Sequence, residues 1–164
     1  MKIRAYIDTN IFIYAIFHHK EYGADCEKIL YDVQMGKIEG HGSYLVAIEL
    51  LGALSKIDPL VAWKATKYYL AMNIKLHKIN DLVLNVAGLI NTVVNVRYDA
   101  IHLALMLLND TDTIITNDLD DWVRLSQNFD KIRKKLSAEN YEVKIRRINV
   151  ISSQQYREKL SSTF

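Results

Sequence analysis

Four acidic residues stand where surface acids are uncommon: Asp8, Glu49, Asp99 and Asp118. Asp8 closes the apolar run of "RAYID". Asp118 follows an apolar run in "IITNDLDDW", where Asp120 and Asp121 come directly after it. Glu49 lies inside "YLVAIELLGAL", and Asp99 opens the apolar stretch of "RYDAIHLALM". Like charges gathered this closely repel, so bringing the four together calls for cations. Mg2+ and Mn2+ prefer hard oxygen ligands of this kind. Two such ions about 4 Å apart would clamp a phosphodiester, one generating hydroxide and the other offsetting charge on the leaving oxygen. That chemistry needs carboxylates and water, with no serine or cysteine nucleophile.

Each acid also has a plainer reading. On a helix, Glu49 would face Leu45, Val46, Gly52 and Ala53, all apolar or small. It therefore sits either at the solvent margin or buried with a partner. Gly52 inside that helix costs about 1 kcal/mol relative to alanine, which suits the close approach of another backbone or a ligand. Asp99 alone reads as a helix cap or dipole partner. Asp8 and Asp118 could each cap the helix after a strand, and Thr9 and Asn10 could make local turn bonds. Only the combination points to a metal site.

Other chemistries find less support. The histidines at 18, 19, 41, 77 and 102 have neither zinc spacing nor cysteine company. His102, three residues past Asp99, reads as a packed histidine or as a neighbour of the acids. The glycines form no dinucleotide fingerprint or phosphate-binding loop, and there is no G-x-S-x-G elbow.

The elements that must position the acids alternate. Residues 2–7 read as a strand ending at Asp8. Helices are expected over "TNIFIYAIFHH", over "DCEKILYDVQMG" with Gly36 at its C-cap, and over "YLVAIELLGALSK" with Ser43 as N-cap. The segment "KIEGHGS" between the last two reads as a brief strand and turn. Asp58 and Pro59 form a helix start for "LVAWKATKYYLAM". "INDLVLNVAGLINTV" begins at Asn80 or Asp81, and "AIHLALMLLN" begins at Asp99. "DTIIT" reads as a strand, "LDDWVRLSQNF" and "KIRKKLSAE" as helices, "EVKIRRINVI" as a late strand and "SSQQYREKL" as a closing helix. Strands alternating with helices imply an α/β fold with a parallel sheet of four or five strands, covered on both faces. In such sheets ligands gather at the carboxyl ends of strands, so Asp8 and Asp118 share a crevice if their strands are neighbours.

The totals agree with this. A chain of 164 residues is expected to form one domain spanning 1–164, and 50% hydrophobic content supports one sizeable core. The lone Cys26 excludes an internal disulfide framework and fits a cytoplasmic setting. No apolar run approaches the ~18 residues of a membrane span, and the N-terminus reads as a strand rather than a signal peptide. Charge is uneven: residues 1–118 hold 11 Lys/Arg against 13 Asp/Glu, and residues 119–164 hold 10 against 6. The segment 131–147 carries Lys131, Arg133, Lys134, Lys135, Lys144, Arg146 and Arg147. These could track an RNA backbone; the plainer reading is a solvated helix face and a charge-protected edge strand.

Four motifs in order resemble those of the PIN-domain nucleases, especially the compact VapC-like toxin ribonucleases of toxin–antitoxin pairs. They are "YIDTNIFIYA", "SYLVAIELLGAL", "YDAIHLALM" and "IITNDLDDW", and the tail "NVISSQQYREKL" is similar to the family's closing strand and helix. The resemblance covers nearly the whole chain and implies a three-layer α/β/α sandwich around a central parallel sheet. It implies that Asp8, Glu49, Asp99 and Asp118 bind Mg2+ or Mn2+, with Asp121 in a supporting or shared metal role. Asn10 and Thr116 match residues that orient the site, Trp122 matches a packing aromatic, and Asp120 has no counterpart. The activity implied is metal-dependent hydrolysis of RNA. The implied partners are an antitoxin and a second copy of the chain, paired through helices near the N-terminus; Trp63, Tyr68 and Tyr69 on the Pro59 helix could serve that contact, and their plainer reading is core packing. The segment from Leu125 to Asn149 is longer than in the smallest toxins. The competing readings are a PIN-like module that binds RNA or protein without catalysis, and a structure-specific DNA nuclease.

Overall fold

The computed structural model describes residues 2–162. The chain opens with β1 (Ile3–Ile7), α1 (Thr9–Ile16), α2 (Gly23–Gln34), β2 (Ile38–Ser43), α3 (Tyr44–Ser55), α4 (Pro59–Ala71) and β3 (Ile74–His77). It continues with α5 (Asp81–Val93), α6 (Asp99–Leu108), β4 (Thr113–Ile115), α7 (Leu119–Gln127), α8 (Phe129–Ala138), β5 (Asn149–Ile151) and α9 (Ser153–Ser161). The strands form one parallel sheet in the order β3-β2-β1-β4-β5, with helices on both faces. This is the three-layer α/β/α sandwich. The chain winds outward from β1 to β2 and β3, then crosses to β4 and β5. The order therefore reverses between β1 and β4, where parallel sheets open a crevice.

Local chemistry accounts for most boundaries. Asp58 accepts hydrogen bonds from the amides of Leu60 and Val61 ahead of Pro59, and Asn80 accepts from that of Val83, so both helices start as expected. Gly36, just past α2, has a φ of 70°, which a residue with a Cβ adopts only with strain. Ser152 and Gln155 close a capping box on α9.

The sheet faces divide the core. Tyr6 on β1 bonds His102 of α6 on one face. On the other, a Cβ at Gly40 would collide with Val33 of α2, so helix and sheet meet there at glycine distance. Ala5, Tyr6, Ile7, Ile114 and Ile115 are fully buried, as two-sided coverage of a parallel sheet requires.

Three expectations change. β3 is a strand that the residue pattern did not announce. The late strand is shorter than "EVKIRRINVI": only Asn149–Ile151 pairs with β4, while residues 141–148 run irregularly with Ile145 and Ile148 buried. Ser43 precedes α3 but makes no side-chain cap; its hydroxyl bonds Tyr6 instead, at 2.7 Å.

Candidate metal centre

Register brings the first and fourth motifs together. Tyr6 pairs with Ile114 and Ile7 with Ile115, so Asp8 and Thr116 emerge side by side at the carboxyl ends of β1 and β4. The Asp8 amide donates to the Ile115 carbonyl at 3.1 Å. The Asp8 side chain is buried and held by three donors: the Thr9 amide at 2.7 Å, Asn10 Nδ2 at 3.1 Å and Thr116 Oγ1 at 2.7 Å. A carboxylate offers about four lone-pair positions, so this orientation leaves capacity for a cation.

Asn10 and Thr116, expected to orient the site, both lie against the Asp8 carboxylate. Asn10 Nδ2 also donates to Thr116 Oγ1, and Asn10 Oδ1 accepts from the Asn117 amide. Thr116 Oγ1 accepts from the Asp118 amide at 3.1 Å, which fixes the turn carrying that acid. Asp118 occupies the N-cap position of α7 without making a cap bond, so its exposed carboxylate remains available. Asn117 had attracted no notice as a turn residue. Its Oδ1 accepts from both the amide and the hydroxyl of Ser153 at 3.0 Å, so it ties the turn to α9.

Glu49 is the partnered acid on an apolar helix. Oε1 accepts from His102 Nε2 at 2.5 Å and from Thr9 Oγ1 at 3.1 Å. Both donors fall on one oxygen, so Oε2 has no partner among the described residues. His102 is fully buried, and its Nδ1 lies 2.7 Å from the Tyr6 hydroxyl. It satisfies both readings of it: a packed histidine that also touches the acidic site. Burial alone would lower its pKa, but the Glu49 hydrogen bond and the charges of Asp8, Glu49 and Asp99 outweigh that and raise it.

Asp99, Asp118 and Asp121 can each offer an oxygen within 4.8 Å of the others. Asp99 is the first residue of α6 but caps nothing, since Tyr98 holds the N-cap position. Its pKa is pushed up to about 7, first by burial and then by the charges of Asp8, Asp118 and Asp121, with His102 opposing. The Asp118 pKa is also raised, by burial and by Asp121, Asp8 and Asp120. Burial first, and then the neighbouring acids, disfavour the charged form of both carboxyls, and a cation between them would favour it. Asp8, Glu49, Asp99 and Asp118 line one cavity of about 420 Å3. The separate acids thus come to one place, with Asp121 joining through Asp99 and Asp118. Asp120 is exposed, and Trp122 is fully buried. Gly52 and Ala53 line the same cavity, together with Lys56, which sequence reasoning had not singled out.

The basic segment lies elsewhere. Lys144, Arg146 and Arg147 line a groove with Asp110 and Asp112 at the amino end of β4, separate from the cavity of Asp8, Glu49, Asp99 and Asp118. Lys144 pairs with Asp110 at 3.5 Å, and Arg133 is half-buried near Asp130.

The PIN domain family matches residues 5–128, and the chain belongs to that family. Its members are generally nucleases that use divalent metal ions. Similar solved structures include VapBC2 from Rickettsia felis bound to a DNA fragment from its promoter, with a TM-score of 0.59 and 15% identity over 92% of this chain and 98% of that one. DNA-bound VapBC from Salmonella typhimurium aligns at a TM-score of 0.59 and 12% identity, over 93% and 99% of the two chains. A toxin–antitoxin complex from Klebsiella pneumoniae aligns at 0.54 and 20% identity, over 72% and 89%. At these identities the likeness is one of fold. No curated protein is similar at a significant level.

Proposed function

We propose that the protein is a Mg2+- or Mn2+-dependent endoribonuclease, the toxin of a toxin–antitoxin pair. The observation that carries this reading is the cavity lined by Asp8, Glu49, Asp99 and Asp118, with oxygens of Asp99, Asp118 and Asp121 within 4.8 Å of one another. The donor set fits a hard divalent cation: all oxygen, several negative charges, no thiol. When bound there, Mg2+ or Mn2+ supplies activation of water at neutral pH and offsets charge on the leaving oxygen.

The chain's own contribution is preorganisation. Thr116, Asn10 and the Thr9 amide fix Asp8, and His102 and Thr9 fix Glu49 with Oε2 free. Such outer partners set the orientation of ligating groups before a substrate arrives. Asp118 is held only through its backbone, so its carboxylate can adjust to an incoming phosphate.

The toxin reading adds two protein partners. A second copy would pair through the exposed Trp63 and Tyr68 on α4; Tyr69, considered with them, is buried and bonds the Ser43 backbone, so it takes no part. A cognate antitoxin would lay a segment over the acidic cavity. The VapBC complexes of like fold support the antitoxin as a candidate partner.

The test is cleavage of single-stranded RNA with and without Mn2+, in the wild type and in Asp8→Asn. Metal-dependent cleavage abolished in a folded variant is the expected result. Cleavage unchanged by the substitution defeats the reading. If calorimetry finds no Mn2+ or Mg2+ binding, the non-catalytic module takes its place.

A further inference from the structure

Lys56 ends α3 as its C-cap residue, is exposed, and lines the same cavity as the four acids. Among the described residues it is the one cation lining that cavity, and it forms no ion pair with any of them. Arg124, the other cation near the site, is held by Asp121 at 3.0 Å. A lysine that served only to neutralise the acids would be drawn on to one of them. Lys56 instead makes no such pair, and it follows Glu49 by two turns of α3.

The path between these two residues is laid out along α3. Glu49, Gly52, Ala53 and Lys56 fall at i, i+3, i+4 and i+7, on one face of the helix. From Glu49 to Lys56 the axis rises about 10 Å. Gly52 is the telling residue on this path. A Cβ built there would meet nothing within 4 Å, so no other part of the chain requires a glycine. Glycine inside a helix nevertheless weakens it. What the missing side chain leaves is an open floor between the acids and the lysine, with Ile13 of α1 also lining the cavity.

We propose that Lys56 is a positioning residue that binds an RNA phosphate next to the scissile one, the strand lying along α3 from Glu49 across Gly52 and Ala53. This rests on the ribonuclease reading above. A polyanion approaching a cavity of carboxylates meets repulsion everywhere except where the scissile phosphate is neutralised. An unpaired ammonium carried by α3 two turns beyond Glu49 offsets that repulsion and sets which way the strand enters. Lysine suits this role as a compact charge on a long stem, able to follow a backbone of no particular sequence.

The experiment is steady-state cleavage of a fluorescent single-stranded RNA oligomer in Mn2+ over a salt series. It uses the wild type, Lys56→Ala, Lys56→Arg and Gly52→Leu. Lys56→Ala should raise KM about tenfold with kcat nearly unchanged, and should flatten the salt dependence of log kcat/KM by about 0.7, the share of one single-strand phosphate contact. Lys56→Arg should restore most of the loss. Gly52→Leu fills the open floor from within the helix, so it should raise KM while melting at or above the wild-type temperature. Calorimetric Mn2+ affinity should be the same in all four proteins. Lys56→Ala with wild-type KM and salt slope overturns the proposal and leaves the ribonuclease reading standing. A fall in Mn2+ affinity matching the loss of kcat/KM also overturns it, because Lys56 would then act through the metal site. A wild type that cleaves no RNA removes the ribonuclease reading and this proposal together.

Discussion

Asp99 offers a test that separates the electrostatic reading of the site from its shape. Its carboxyl, raised from 3.8 to about 7 by burial and by Asp8, Asp118 and Asp121, is destabilised in the charged form. A shift of about 3 units corresponds to about 4 kcal/mol if fully expressed. Water at the exposed Asp118 and at the cavity mouth screens that, leaving about 2 kcal/mol. Because the folded pKa lies above the unfolded one, the penalty is absent below about pH 4, where the acid is protonated in both states. It grows through the interval up to about pH 7 and is complete above it. Asp99→Asn keeps the shape and removes the charge. In chelator, the variant should melt about 4–8 °C above the wild type at about pH 8.5, and the two should converge near pH 4. Mn2+ at about 100 times its dissociation constant should then stabilise the wild type by about 2.7 kcal/mol, and the variant far less. The assay is thermal unfolding followed by circular dichroism across that range. A difference that is the same at both ends of the range, or a variant less stable throughout, would show that burial and the neighbouring acids do not disfavour the charged form of Asp99.

Two other outcomes follow from contacts already described. Thr116→Val removes the hydroxyl that donates to Asp8 and accepts from the Asp118 amide; Mn2+ affinity should fall about 10- to 100-fold, read by calorimetry, and an unchanged affinity would mean that the carboxylate does not need this donor. Replacing the exposed Trp63 and Tyr68 by serine should convert a dimer to monomer in sedimentation while moving the melting temperature little, because neither packs in the core; a dimer that persists places the pairing surface elsewhere.

Much of this site was legible because each acid ends or opens an element whose signal is local. Asp8 follows a short apolar strand, Asp99 opens a helix, and Glu49 breaks an apolar helical face that would otherwise be uninterrupted. Their meeting depends on β1 and β4 being neighbours, which motif order suggests but only sheet register establishes. What stayed hidden depends on tertiary pairing. "IKLH" is too short to show a period and becomes β3 only by lying against β2. "EVKIRRINVI" interleaves apolar and charged residues as a strand does, yet only its last residues find a partner in the three-residue β4. Ser43 has the side chain of a helix cap, but the Tyr6 hydroxyl beneath it is the nearer partner. Tyr68 and Tyr69 are adjacent letters facing opposite ways, one into water and one into the core, because a helix turns about 100° per residue. Lys56 carries no motif at all; only the shape of the cavity singles it out.

The bond from Ser153 to Asn117 reaches past the limits of the family match. The match ends at residue 128, and Ser153 begins a helix laid down after a long excursion through α8 and the irregular run to β5. The helix α9 therefore works as a keystone: to the bonds from Thr116 and Asn10 it adds a brace on the turn that presents Asp118, one that forms only after a long stretch of later chain has been placed. A fragment cut at the family boundary would keep every acid and the Thr116 and Asn10 bonds, and lose the outer brace on the turn that presents Asp118. In a growing chain, the same dependence postpones that brace until α9 has emerged.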